Sequence, residues 1–241
     1  PMRRDRDSEK PARPYVRPAN KPRSTPKPRP ADVAAAQERG RAEFLSTHNV
    51  SRETLERLDR YVALLTEWQA RMNLVAPATI GDVWSRHIAD SLALERLLPE
   101  ATVCVDLGSG AGLPGLVIAA VRPGLSVDLV EANSKKIAFL RAVQRDLGLT
   151  GTAHAARIEE CSAVLAKADI VTARALASLT ELFALVAPHI RADTRCFFQK
   201  GRNHEQEINA ATAHWRFSMI KHESSLDDGS VVLEIDEIAP R

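Results

Sequence analysis

The chain has 241 residues, 44% hydrophobic and 27% charged, which suits one α/β domain with a sizeable core and some decoration. No run approaches the roughly eighteen apolar residues of a membrane span, and no apolar stretch follows the charged start as in a secretory signal. The three cysteines, Cys104, Cys161 and Cys196, are far apart and form no C-x-x-C pair, so neither a disulfide framework nor a metal site is expected, and the compartment expected is the cytoplasm.

The formal charge of +2 conceals an asymmetry. Residues 1–30 hold ten Lys or Arg and three Asp or Glu, a net of +7, which leaves −5 for the rest. The body is therefore no generic basic nucleic-acid binder, and an RNA footprint on it has to be a local patch. The same thirty residues contain eight prolines and almost no large apolar side chains, so they are expected to form a disordered tail. That tail is either a solvated leader or a weak electrostatic tether to RNA phosphate.

Residues 31–99 read as a helical segment. Ser51 is a plausible N-cap, and Leu55, Leu58, Val62, Leu65, Trp68 and Met72 recur every three or four residues. A second amphipathic stretch begins near Thr79, with Ile80, Val83, Trp84, Ile88 and Leu92 on one side. From about residue 100 short apolar runs alternate with helical ones. Strands are predicted at 102–107, 126–131, 152–156, 169–174 and 195–200, with helices from Leu113, over 133–147 and from Ser178. This alternation means a parallel sheet covered on both faces. After Gly201 come a helix, a strand near 215–222, an Asp-Gly turn and a strand from Val231, which together read as a hairpin. A parallel sheet ending in an antiparallel hairpin resembles the class I S-adenosylmethionine-dependent methyltransferase fold, a Rossmann-like α/β architecture, over residues 100–241.

The strongest local signal is VCVDLGSGAGLPG, residues 103–115, a strand, a glycine loop and a helix start. Gly108, Gly110 and Gly112 can adopt angles forbidden to a Cβ and let a ligand approach the main chain, facing helix N-terminal amides. The spacing Gly110-x-Gly112-x-x-Gly115 also fits a dinucleotide fingerprint, so the loop alone indicates only an adenosine-containing cofactor. Asp106, which closes the strand in the form D-x-G-x-G-x-G, favours a cationic methionyl group over a pyrophosphate. Glu131, ending the next strand, can accept both ribose hydroxyls of either cofactor. An NAD(P)-dependent oxidoreductase and a non-catalytic RNA-binding assembly factor remain the alternatives.

The residues also bear on which atom is methylated. Exocyclic amine methylation commonly goes with an Asn/Asp-Pro-Pro-aromatic loop after the fourth strand, where this chain reads TARALASL. Pyrimidine C5 methylation needs a cysteine nucleophile, but Cys104 and Cys196 sit in apolar strands and Cys161 lacks a basic partner. A ring nitrogen such as guanine N7 needs neither device and can react by in-line positioning alone.

Several blocks occur in order: RMNLVA (71–76), RHIADSL (86–92), DLGSGAGLPG (106–115), KKIAFL (135–140), RIEE (157–160), ARALASL (173–179) and QKG (199–201). From about residue 50 onward the chain resembles the ribosomal RNA small subunit methyltransferase G family, also called glucose-inhibited division protein B. The resemblance implies methyl transfer from S-adenosyl-L-methionine to N7 of the guanine conventionally numbered 527 in 16S rRNA, on naked RNA or a small-subunit particle. It implies that Gly108 and Leu113 contact the cofactor, that Ile158 and Glu159 border its adenine, and that Arg174 lies at the cofactor and guanine pocket. Asn73, Arg86, His87 and Lys200 would face the RNA side. Arg174 and Lys200 follow strands whose carboxyl ends should border the ligand cleft. The basic helix bearing Lys135, Lys136, Arg141 and Arg145 reads equally as a solvated face or a phosphate contact. Nothing demands more than a monomer.

Overall fold

The computed structural model describes residues 26–224 and 228–241. The expected tail therefore falls mostly outside the described residues, and so does part of the Asp-Gly turn. Helix α1 spans Pro30–Thr47, with proline in its first turn, where its missing N–H costs nothing. Helix α2 spans Arg52–Gln69, and Ser51 caps it by accepting from the Thr54 amide.

The second amphipathic stretch is not one α-helix. A 3-10 turn at Pro77–Thr79 precedes a π-helical segment, Val83–Ile88, which runs into α3, Ala89–Glu95. The wider π turn broadens the inward face, so Val83, Trp84, His87 and Ile88 are all buried. All five apolar residues expected on that side are buried.

Seven strands among the described residues form one sheet in the order β3-β2-β1-β4-β5-β7-β6. They are β1 Val103–Leu107, β2 Ser126–Glu131, β3 Ala153–Ala155, β4 Ile170–Arg174, β5 Arg195–Lys200, β6 Trp215–Glu223 and β7 Val231–Pro240. The first five are parallel, and β7 runs antiparallel to both β5 and β6. Helices α4 (Gly115–Val121), α5 (Ser134–Leu147), α6 (Ser162–Leu165), α7 (Leu179–Val186) and α8 (His204–Thr212) connect or flank the strands. Asn133 caps α5 through its side chain, and Gly148 ends it in the left-handed region.

Period-two alternation sends successive strand residues into two cores. Cys104, Leu129, Ile170 and Phe197 join the α2, α4 and α5 side. Val105, Val130, Val171 and Phe198 join the α7 side. The helical segment shares the first core with α4 and α5. Polar ties fasten it: Arg57 donates to the Ala120 carbonyl at 2.7 Å, Arg60 pairs with Asp146 at 2.6 Å, and Arg122 pairs with Glu95 at 2.6 Å. Residues from two distant parts of the chain are thereby held over the carboxyl edge of the sheet.

Candidate active site

Parallel strands aim their carboxyl ends at one rim, and the turns that follow β1, β4 and β5 border a cleft of about 930 Å³ there. Its wall includes Gly108–Ala111 and Leu113 after β1, Arg174–Ser178 at the end of β4 and beyond, and Gln199–Gly201 from β5. The helical segment closes the other side with Leu74–Ala76, Thr79, Arg86, His87 and Asp90.

The glycine loop is a cradle. Gly108, Gly110 and Gly112 have φ of 61°, 54° and 83°. A Cβ on Gly108 would meet Leu176 at 2.5 Å, and one on Gly112 would meet Leu116 at 2.2 Å. Over Gly110 the nearest atom is the Gly108 carbonyl oxygen at 3.8 Å, so a Cβ there would enter open space. The loop is braced from below, where Tyr61 on α2 donates to the Ala111 carbonyl. Burial pushes the Tyr61 phenol well above its ordinary pKa, so it stays a donor.

Glu131 accepts from the Gly110 amide at 2.8 Å and from the Asn133 amide at 3.0 Å, one bond per carboxylate oxygen. Each oxygen keeps a second lone pair for a ribose hydroxyl. Asp106 differs from its expected place. It is fully buried beneath the loop, with Oδ1 accepting from Thr172 at 2.7 Å and Oδ2 without a partner. Asp106 and Thr172 meet because they are register partners of β1 and β4 on one sheet face. Burial raises the Asp106 carboxyl to about 6, against the Thr172 hydrogen bond. It supports the loop from behind and does not line the cleft.

Arg174 ends β4 inside the cleft. Its Nη2 donates to His87 Nδ1 at 2.9 Å, and its Nη1 is buried without a partner. Because a guanidinium only donates, His87 must carry its proton on Nε2, which lies 3.1 Å from Thr79 Oγ1. Thr79 in turn donates to the Ala76 carbonyl. Burial, then Arg174 and Arg86, lowers the His87 pKa to about 4. The sequence places His87 on the RNA side, but its ring is buried and turned onto Arg174.

Lys200 also departs from its expected role. Its ammonium is turned inward, donating to the Ala177 carbonyl and pairing with Glu207 at 2.9 Å. Glu207 also accepts from the Leu179 amide at 3.0 Å. The pair thus pins the loop between β4 and α7, where Ala175 holds a left-handed φ of 49°. Arg86 and Lys136 line the cleft, and Asn73 is exposed beside the cleft residues Leu74–Ala76. Ile158 and Glu159 follow β3 in a 3-10 turn on the same sheet edge, outside the cleft wall, with Ile158 buried and Glu159 exposed. The structure therefore brings together Gly108, Gly110, Leu113, Arg174, His87 and Lys200, with Glu131 behind the loop.

Reasoning from sequence missed Asp90, Gln199, Leu176, Glu207 and Tyr61. Asp90 and Gln199 lie within quoted blocks but carried no signal of their own. Gln199 donates to Asp90 at 2.8 Å. Burial raises the Asp90 pKa, and Arg174 opposes the rise. Among the described residues no group of His, Cys, Asp and Glu could hold a metal ion, and no helix is long and apolar enough to cross a membrane.

The open cradle at Gly110 and the free lone pairs of Glu131 fit an adenosyl cofactor. The sheet order and this cleft define a class I S-adenosylmethionine-dependent methyltransferase. The fold is similar to that of a mutant of MtNAS solved in complex with S-adenosylmethionine, with a TM-score of 0.53 and 14% identity, covering 85% of this chain and 77% of that one. Residues 54–229 match the family model described as rRNA small subunit methyltransferase G. The chain is 42% identical over 206 residues to the ribosomal RNA small subunit methyltransferase G of Sinorhizobium fredii, covering 83% of this chain and 96% of that protein. It is 45% identical over 202 residues to the protein of the same name from Methylorubrum extorquens, with the same coverages. The chain belongs to the rRNA small subunit methyltransferase G family.

Proposed function

We propose that the chain transfers a methyl group from S-adenosylmethionine to N7 of one guanine in 16S rRNA, the position conventionally numbered 527. The observation that carries this reading is Arg174, a cation fixed by a neutral histidine beside a glycine cradle. N7 needs no general base, because its lone pair bears no proton. When bound, the cofactor supplies an electrophilic methyl group.

The chain's own residues hold and orient. Gly108, Gly110 and Leu113 receive the cofactor along the backbone, and Glu131 accepts from its ribose. Ile158 and Glu159, farther along the same edge, border the adenine. Arg174 is directed by His87 toward anionic or carbonyl oxygens and acts by position and field. Lys200 acts through the loop it pins. Arg86, Lys136 and Asn73 at the rim meet RNA phosphate and sugar. The reading is of a monomer that acts in the cytoplasm, where an rRNA substrate is met. The basic N-terminal segment, residues 1–30, raises RNA affinity at most.

Mass spectrometry of 16S rRNA from cells with and without the chain tests the reading. The expected result is loss of one N7-methylguanosine. An unchanged methylation map would overturn it, and so would calorimetry in which the chain prefers NAD to S-adenosylmethionine.

A further inference from the structure

Among the residues lining the cleft, one acceptor and one donor are buried without partners. Gln199 uses its amide nitrogen on Asp90, which leaves Gln199 Oε1, a carbonyl oxygen, buried and unmet. Asp90 spends Oδ2 on that bond and stands in the cleft wall on the first turn of α3. Arg174 Nη1 is the unmet donor in the same cleft. Burial of polar groups without partners is costly, so this arrangement suits a ligand with donors on one edge and acceptors on another.

The bases differ in this respect. Guanine carries two adjacent donors, N1–H and the N2 amine, on its pairing edge beside the O6 acceptor, and presents O6 and N7 as acceptors on its major-groove edge. A carboxylate can accept both donors at once. Adenine and cytosine each place a ring acceptor where guanine has N1–H, and uracil offers a single N–H between two carbonyls. Gripping guanine by N1–H and the N2 amine also leaves N7 free, because N7 belongs to the imidazole ring and takes no part in those bonds.

We propose that Asp90, oriented by Gln199, selects guanine by accepting hydrogen bonds from N1–H and the N2 amine of the target base. This rests on the reading that the target is a guanine methylated at N7. Gln199 is the positioning residue: it holds one carboxylate oxygen and adds its own carbonyl to the acceptor wall. Arg174 donates to O6, which leaves the N7 lone pair free for the methyl group.

The test compares guanosine with inosine at the target position in small-subunit particles, by single-turnover methylation. Inosine retains N7, O6 and N1–H and lacks only the amine. The wild-type chain should methylate inosine at least about tenfold more slowly. Asp90→Asn replaces one acceptor oxygen by a donor, so the guanosine rate should fall and the two substrates should converge to within about twofold. Affinity for S-adenosylmethionine, measured by calorimetry, should be unchanged. Equal wild-type rates on both substrates would overturn the assignment without any variant, so a failure of Asp90→Asn to fold does not shelter it. A folded Asp90→Asn that still discriminates would overturn it too. Mapping the wild-type product separates the two levels: a methyl group away from guanine N7 removes the functional reading, whereas an N7 product with no discrimination removes only the role of Asp90.

Discussion

The phenol of Tyr61 on α2 donates to the carbonyl of Ala111 in the glycine loop, 50 residues away, at 2.8 Å. The bond ties the helical segment to the cofactor cradle within a fully buried setting. Tyr61→Phe leaves that carbonyl unmet and should cost about 1–3 kcal/mol of stability. S-adenosylmethionine affinity should weaken as the loop loosens. Thermal melting with calorimetry checks both, and native values for both would show that the brace is idle.

The loop glycines should divide into two kinds. A Cβ at Gly112 collides with Leu116, so Gly112→Ala should unfold or severely destabilise the chain. Gly110 faces open space, so Gly110→Val should fold, with strain of about 1–3 kcal/mol from its left-handed φ. It should nonetheless lose cofactor affinity at least about tenfold, by filling the space the ligand needs. A folded Gly110→Val that binds S-adenosylmethionine normally would remove the loop from the binding site.

His87 and Asp106 impose opposite pH dependences. His87 falls from 6.5 to about 4, so the unfolded chain takes up a proton that the native one refuses. Its contribution is complete above pH 6.5 and is lost as pH falls toward 4. Asp106 rises from 3.8 to about 6, so its contribution is complete below pH 3.8 and is lost as pH rises through 6. Between pH 4 and 6 the two slopes oppose. His87→Gln can keep both hydrogen bonds while removing the titration. The advantage of wild type over this variant should grow by on the order of 3 kcal/mol from pH 4 to pH 7. Denaturant unfolding across that range is the measurement, and a constant difference would contradict the assignment.

Lys200→Ala leaves Glu207 and the Ala177 carbonyl without their cation. Glu207 is 23% exposed, which softens the penalty to about 2 kcal/mol. Methylation should fall at least about tenfold, about 1.4 kcal/mol, because the Ala175–Ser178 loop loses its anchor. Lys200→Met combined with Glu207→Gln should recover much of the stability. Melting and single-turnover rates on particles decide. A stable Lys200→Ala with a native rate would end the anchoring argument.

Arg174→Ala should lose methylation at least about tenfold while folding normally. Arg174→Lys should not rescue it, since a single ammonium cannot both hold His87 and present a second donor. Rescue by lysine, in the same single-turnover assay, would point to charge alone.

Most of the sheet could be read from the residues because parallel strands buried on both faces become short, nearly continuous apolar runs. TVCVDL and RCFFQK are such runs, and Asn133 and Gly148 bracket α5 with local capping chemistry. The glycine loop was legible for the same reason: its angles are set within a few residues. The misread parts depend on partners far along the chain. His87 meets Arg174 87 residues later, and Asp106 meets Thr172 66 residues later. No spacing announces that Glu207 will neutralise Lys200. The π turn was hidden because its apolar residues repeat at intervals that an α-helix also satisfies.

Strand β7 follows β6 in the chain yet lies between β5 and β6 in the sheet. During synthesis, β5 and β6 emerge first, with no hydrogen-bonded ladder between them. Until Val231–Pro240 clears the ribosome, Phe197 and Phe198 sit on an open parallel edge able to pair with another nascent chain. Gln199 and Lys200 occupy that same strand, opposite Val232 and Val231. Strand β7 therefore backs the strand that brings Gln199 and Lys200 to the cleft, and a ribosome stalled shortly before residue 231 should release a fragment with β5 as an aggregation-prone edge.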